Sequence, residues 1–256
     1  MVLRAGSVEV QVGQIERILA AQPEPLQEDL QKNAHLLLEE QATRDLLLQR
    51  AMEARPAKGP ERAGPQPGQT IQEYLENTVL SQVTVEDADV KQFYETEKSL
   101  FGGATLDQMR VSIRKYLLDQ KKQEAVRNYI RDLGKKTDIA VSESWLAKQA
   151  PLARDNPVDT VRDSGKPSFV EFGATGCGPC DMMVPILKNL NVKYKGKLNV
   201  LFVHVREKQV LAARYAIETI PIQACFDKEG REVFRHVGFF PQEEIEKKLI
   251  EMGVTP

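Results

Sequence analysis

The fold of the C-terminal half is decided by residues 169–180, whose sequence is FVEFGATGCGPC. The apolar run Phe169–Phe172 predicts a buried strand that carries one acid, Glu171. Small residues then predict a turn, and Cys177–Cys180 predicts the start of a helix over Asp181–Leu190. A CxxC pair that follows a strand and opens a helix is typical of a redox-active dithiol.

The two cysteines have different predicted environments. Cys177 lies at the helix N-terminus, where unpaired N–H groups and the helix dipole favour a thiolate. Cys180 follows one turn later, close enough for a disulfide, and Pro179 removes an N–H that the first turn leaves unpaired. A structural zinc site is the alternative, but it needs a second ligand pair. The other candidate ligands are isolated in sequence: Cys225, His35, His204 and His236. We therefore predict a redox-active Cys177–Cys180 disulfide and neither a metal nor an organic cofactor.

Residues 161–256 resemble the thioredoxin family. Ile220–Pro221 matches the family's isoleucine–cis-proline pair, Gly238 matches its glycine beside the active site, and Pro185 matches the kink in its active-site helix. The resemblance implies an α/β thioredoxin fold, a central mixed sheet flanked by helices. Its remaining predicted elements are a strand over Leu198–Val205, a hairpin over Phe226–Gly238, and helices over Gln209–Ala216 and Pro241–Met252.

The same resemblance implies a thiol–disulfide oxidoreductase. Cys177 would attack a substrate disulfide, Cys180 would resolve the mixed disulfide, and Glu171 would exchange a proton with Cys180. The implied substrate-binding residues are Gly178, Pro179, Ile220, Pro221 and Gly238.

Four positions depart from the family pattern. Gly173 and Gly176 replace the usual tryptophans, Phe202 replaces a lysine, and Glu171 replaces an aspartate. The substitutions predict a site without its usual aromatic shield and with a smaller proton network.

Composition excludes several classes of protein. A net charge of −2 with 28% charged residues gives no excess of positive charge of the kind that indicates nucleic-acid binding. No apolar run approaches the roughly 18 residues of a membrane span. Three cysteines suit the cytosol and also many periplasmic redox proteins. The first residues have no signal-peptide pattern, so we expect either a cytoplasmic protein or a removed signal.

The N-terminal half is predicted to be mostly helical with a small two-stranded element. Val8–Val12 alternates as a strand, and a long amphipathic helix is predicted over Leu26–Ala54. Residues 55–69, rich in proline and glycine, predict a loop or disordered segment. Asp138–Ser142 predicts a closing strand. Between them we predict a helix over Ile71–Leu80, a helix that begins near Thr84, and a helix that begins at the capping box Thr105–Gln108.

This order of elements resembles the N-terminal chaperone domain of SurA and PpiC-like foldases. The resemblance covers residues 7–143 and includes the phrase Val85–Tyr94, VEDADVKQFY. The prolyl isomerase module of those proteins is absent, and the thioredoxin-like region follows instead. We therefore predict a chaperone-like domain over residues 1–143, a connecting segment over 144–160 and a thioredoxin-like domain over 161–256.

The two resemblances together predict an oxidoreductase with an attached peptide-binding domain in the periplasm or another extracytoplasmic compartment. Expected partners are disulfide-containing or unfolded proteins and a redox partner protein. Two alternatives remain at this point. One is a holdase whose CxxC senses redox state; the other is a cytosolic thioredoxin whose helical arm docks partners or forms homo-oligomers.

Overall fold

The computed structural model describes residues 1–54 and 66–256, with Ser99 and Leu100 described by their backbone alone. Contacts between Cα atoms divide the chain into two units. The first unit contains Met1–Val12 and Glu39–Val141, and the second contains Gly13–Leu38 and Ser142–Pro256. Residues 13–38, which the sequence-based boundaries assign to the N-terminal domain, therefore group with the C-terminal half.

The described residues form α-helices and β-strands in both units. The helices are α1 (Val12–Ala20), α2 (Glu24–Lys32), α3 (Ala34–Glu53), α4 (Pro67–Thr78), α5 (Asp87–Thr96), α6 (Leu106–Lys135), α7 (Glu143–Arg154), α8 (Pro157–Arg162), α9 (Gly178–Lys193), α10 (Gln209–Arg214) and α11 (Gln242–Glu251). The strands are β1 (Leu3–Ala5), β2 (Val8–Val10), β3 (Ile139–Val141), β4 (Ser168–Gly173), β5 (Asn199–His204), β6 (Ile222–Phe226) and β7 (Glu232–Val237). No helix among these residues combines the length and apolar character needed to cross a bilayer.

The small sheet of the first unit has one strand more than the sequence predicted. Its order is β2-β1-β3, with β1 in the centre and both pairings antiparallel. The prediction of a two-stranded element was wrong because β1 spans only three residues, too few for an alternating pattern to be recognised.

Helices α5 and α6 of the first unit pack together around a compact apolar cluster. Its buried members are Val85, Val90, Tyr94 and Ile113. The predicted capping box at Thr105 is confirmed, since its side chain accepts from the Gln108 N–H and the Gln108 side chain accepts from the Thr105 N–H. The helix predicted near Thr84 begins instead after Glu86, where a second capping box forms.

The single long helix predicted over Leu26–Ala54 is interrupted at Asn33, which separates α2 from α3. The Asn33 Nδ2 atom donates to the Asp29 carbonyl over 2.9 Å, so the side chain competes with the backbone for a helical acceptor. The predicted loop over residues 55–69 lies only partly within the described residues. Residues 55–65 lie outside the described residues, and Pro67 already begins α4.

The second unit is built on a four-stranded mixed sheet in the order β5-β4-β6-β7. The β4–β5 pair is parallel, and the other two pairs are antiparallel. One face carries Phe169 against α9 and α11; the other carries Phe172 and Val203 against α8 and α10. The predicted mixed sheet flanked by helices is confirmed.

Helix α2 joins this unit by packing on α7 and α10. Lys32 of α2 forms an ion pair of 2.8 Å with Asp155, directly after α7. Arg214 of α10 donates to the side-chain oxygen of Asn33 over 3.4 Å and also donates to the Ala153 carbonyl. These contacts explain why residues 13–38 belong with the second unit, and they show that the predicted connecting segment is largely helical.

Candidate active site

The predicted acid lies in the centre of the sheet. All six residues of β4 are buried, and Glu171 has no exposed surface. Its Oε2 atom accepts a hydrogen bond of 2.9 Å from Nε2 of Gln223, the residue opposite it on β6. Burial raises the pKa of Glu171 to about 7, and the bond from Gln223 opposes part of that rise. A carboxyl group with this pKa can both accept and return a proton near neutral pH.

The structure joins Cys177 and Cys180 in a disulfide, with their Cα atoms 5.2 Å apart. Cys177 immediately precedes α9 and is half-buried, whereas only 2% of Cys180 is exposed. Gly178 and Pro179 form the exposed first turn of α9, where a missing N–H costs nothing. A substrate in solution therefore reaches Cys177 before it reaches Cys180.

The loop that leads to Cys177 is held by residues at and just after the end of β5. The Thr175 N–H donates to Nε2 of His204 over 3.1 Å, and Arg206 donates to the Thr175 carbonyl over 3.4 Å. Because a backbone N–H can only donate, Nε2 of His204 is unprotonated and the ring proton lies on Nδ1. The Oε1 atom of Glu207 lies 3.6 Å from that Nδ1.

The predicted proline pair lies at the same edge of the sheet. The Ile220–Pro221 peptide is cis, and the Pro221 carbonyl accepts from the Gly238 N–H over 2.8 Å. Gly238 has φ of +96°, a conformation that strongly favours glycine. Since Ile222 pairs with Phe172, Pro221 is next to the end of β4 from which the cysteine loop departs.

The third cysteine is not part of this edge. Cys225 is buried, and desolvation raises its pKa to about 12, so its thiol is protonated and unreactive at neutral pH. In the parts of the chain that the structure describes, no three His, Cys, Asp or Glu side chains are grouped as a metal ion would need.

Comparison with known proteins identifies the second unit. The sequence profile described as Thioredoxin matches residues 149–251. Thioredoxins from Staphylococcus aureus strains Mu50 / ATCC 700699 and MW2 are each 39% identical to this chain over 95 residues, which is 37% of this chain and 89% of each relative. The chain belongs to the thioredoxin family. At the family level this means thiol–disulfide oxidoreduction on protein substrates.

A solved structure, that of a mutant thioredoxin from Halobacterium salinarum NRC-1, is 28% identical to this chain. The match covers 39% of this chain and 84% of that chain, with a TM-score of 0.34.

Within the thioredoxin-family unit, the Phe202 ring lies close to the backbone of Gly173. A Cβ atom added to Gly173 would lie 2.9 Å from the ring of Phe202 and 3.5 Å from Sγ of Cys180. The Phe202 ring therefore occupies space that a side chain at position 173 would need, while 40% of Phe202 is exposed.

Two residues of the site were missed in the sequence. Gln223 bonds the buried acid, and His204 holds the cysteine loop. Gln223 did carry a signal, since it is the single amide in the otherwise apolar run Ile222–Phe226. His204 carried none, because its partner is a backbone group 29 positions earlier in the chain.

Proposed function

We propose that this chain is a protein-disulfide oxidoreductase in which Cys177 is the nucleophile and Cys180 the resolving cysteine. The observation that carries the proposal is a half-exposed cysteine at the N-terminus of α9, disulfide-bonded to a buried cysteine three residues later. The N-terminal end of a helix favours the thiolate form, which is the nucleophile in disulfide exchange.

The proposed reaction consists of two displacements. The Cys177 thiolate attacks one sulfur of a substrate disulfide, a mixed disulfide forms, and the other substrate sulfur leaves as a thiolate. Cys180 then loses its proton and attacks Cys177 Sγ, which releases the second substrate thiolate and forms the Cys177–Cys180 disulfide. The substrate gains two electrons from the protein dithiol. A redox partner protein with its own dithiol would restore the reduced state by the reverse exchange.

Glu171 is proposed to accept the proton of Cys180 in the second displacement. Glu171 and Gly173 point to the same face of β4 because they are two residues apart, and Cys180 borders that face at Gly173. A pKa of about 7 keeps a substantial fraction of the carboxyl ionised at neutral pH, so it can act as the general base.

Replacing Glu171 with glutamine is expected to slow the second displacement on the order of 100-fold at neutral pH and to leave the first displacement nearly unchanged. The amide keeps the shape of the side chain but cannot take up the proton. Stopped-flow absorbance with a symmetric aromatic disulfide, whose thiolate product absorbs, separates the two displacements as successive phases.

The same variant has an expected effect on stability. Because the folded state raises the pKa of Glu171 from 4.5 to about 7, it holds this proton more tightly than the unfolded chain does. As the pH rises from 4.5 to about 7, the free energy of unfolding of the wild type should therefore fall by about 3 kcal/mol relative to that of Glu171→Gln. Urea unfolding at both ends of the interval measures the difference.

In the stopped-flow experiment, equal rates of the second phase in the wild type and in Glu171→Gln would exclude Glu171 as the base.

The first unit is proposed to bind non-native polypeptide segments. Supporting this, its layout resembles a foldase chaperone domain, and its long helix α6 leaves large apolar side chains in solvent. Val111 is 79% exposed and Tyr116 is 50% exposed. Leu80 and Val126 line a shallow, open depression of about 400 Å³ on the same unit, together with Lys122, Gln123 and Arg127. Exposed apolar surface of this kind suits weak binding of unfolded chains.

The chaperone proposal is tested in the full-length chain without its redox chemistry. A Cys177→Ser/Cys180→Ser variant is expected to suppress aggregation of a reduced, unfolded client as well as the wild type does. Adding Val111→Lys and Val126→Lys should remove most of that suppression, because the lysines hydrate the apolar surface. Light scattering reports aggregation, and Gln120→Lys, which adds charge at an exposed polar position of α6, is the matched control.

The outcomes of this test separate the remaining alternatives. Suppression that depends on Val111 and Val126, together with disulfide reductase activity, supports the combined function. Suppression without reductase activity in the wild type would favour a holdase with a redox-sensing disulfide. Reductase activity without suppression would leave the first unit as a docking or assembly arm.

A further inference from the structure

The buried amide of Gln223 lies beside Glu171, the proposed proton acceptor, on the same face of the sheet. Gln223 has no exposed surface and is the one polar side chain of β6. The β4–β6 register places it directly opposite Glu171, and its Nε2 atom donates to Glu171 Oε2 over 2.9 Å. Burying an amide in an apolar strand is costly unless its hydrogen bonds are made. The amide of Gln223 makes such a bond by donating to the carboxyl group of Glu171.

The other oxygen of each side chain in this pair has no protein partner among the described residues. Oε1 of Glu171 and Oε1 of Gln223 are both buried, and neither accepts a hydrogen bond from a described protein group. Because Oε2 of Glu171 already accepts from an N–H group, it cannot carry the carboxyl proton toward that group. The carbonyl oxygen of a neutral carboxyl is also the better acceptor, so the bond from Gln223 favours a neutral acid whose proton lies on Oε1. The amide thus distinguishes the two oxygens of an otherwise symmetric carboxylate.

We propose that Gln223 is a positioning residue, which fixes Oε2 of Glu171 so that Oε1 exchanges the proton of Cys180. The inference rests on the proposed role of Glu171 as the base of the second displacement. Gln223 itself touches neither the substrate nor the reacting sulfur atoms in this scheme; it acts through the acid.

Few other titratable groups face this pair. From α9 the neighbour is Cys180, which borders Gly173, and from β7 it is His236 opposite Gln223. Along β6 it is the buried thiol of Cys225, and from α11 it is Lys248, whose charge acts on Cys225. On β5 the position opposite Glu171 is Phe202, which carries no charge. Glu171 therefore has no cation opposite it on either neighbouring strand, and the donor on Gln223 is the polar group that stabilises its ionised form.

The pH dependence of the second displacement tests the inference. Removing the donor destabilises the carboxylate, so the pKa of Glu171 should rise in Gln223→Met. A plot of the rate of the second stopped-flow phase against pH should have a rising limb, and the midpoint of that limb should be the pKa of Glu171. In Gln223→Met that limb should move upward by about one pH unit or more, as expected for losing a hydrogen bond to a charged group. The first phase should keep its wild-type pH profile.

Three further variants make the result decisive. Gln223→Asn keeps an amide one methylene short of Oε2 and should give the same upward shift with less disturbance of the strand. Cys225→Ala alters a buried position two residues along the same face of β6 and should leave the limb in place. Glu171→Gln should remove the limb. A titration of the Glu171 carboxyl carbon by NMR in the oxidised full-length chain reports the same pKa without turnover.

Each outcome is informative. If Glu171→Gln removes the limb while Gln223→Met and Gln223→Asn leave it at its wild-type pH, the inference about Gln223 is overturned and the role of Glu171 stands. If Glu171→Gln leaves the limb unchanged, the role of Glu171 fails, and the inference fails with it. A limb that moves together with the NMR titration in both Gln223 variants supports the inference.

Discussion

Replacing Cys177 with serine is expected to reduce protein-disulfide reduction to the uncatalysed rate. The residue is the half-exposed member of the pair and lies at the N-terminus of α9, where a thiolate is stabilised. A serine hydroxyl stays protonated there and cannot displace a sulfur atom. Turnover of a protein disulfide at neutral pH measures the loss.

Replacing Cys180 with serine should have a different consequence, namely the accumulation of a mixed disulfide between Cys177 and the substrate. The first displacement remains possible, but no thiol is left to resolve its product. Mass spectrometry of the trapped species identifies the bonded cysteine. Cys225→Ser is the matched control, since that thiol is buried and should leave turnover intact. A trapped species bonded through Cys180 in Cys177→Ser would reverse the assignment.

Replacing Asp159 with alanine is expected to lower the free energy of unfolding of the second unit by about 3–5 kcal/mol. Asp159 is 4% exposed, and its carboxylate accepts from Arg162 over 2.8 Å and from Arg214 over 2.7 Å. Tyr215 and Asn156 donate to it over 3.0 Å and 2.6 Å. Removing the carboxylate leaves two guanidinium groups without their shared counter-charge in a largely buried position.

Urea unfolding followed by fluorescence of Trp145, the single tryptophan of the chain, measures this effect. Glu244→Ala is a suitable comparison, because it removes a solvent-exposed ion pair with Lys247 and should cost less than about 1 kcal/mol. Similar costs for the two variants would mean that the Asp159 cluster contributes no more than a surface pair.

The elements around Cys177 could be predicted from the sequence because each depends on local signals. The buried run before the turn and the CxxC at the helix start have their determinants within a few residues, as does the Thr105 capping box in the first unit. The position of the buried acid followed in the same way, from a single glutamate in an apolar run. The break within the long N-terminal helix was not predicted, because Asn33 interrupts the helix through a side-chain bond that propensities do not reveal.

The contacts that could not be predicted connect residues far apart in the chain. Gln223 meets Glu171 only because β4 and β6 pair in one particular register. The ring of Phe202 fills the space beside Gly173 only because β4 and β5 pair in one particular register. Both facts require the sheet to be assembled, and neither follows from composition or periodicity.

The division of the chain into units sets the order in which they can be completed during synthesis. Residues 13–38 leave the ribosome before the first unit is complete, yet they belong to a unit whose sheet is made entirely after residue 142. The first unit has all its residues once Val141 has emerged. At roughly 5–20 residues per second, α2 waits on the order of ten seconds or more for its partners. Over that interval α2 lacks α7 and α10, the helices it packs on, and the dithiol unit becomes complete only after the first unit.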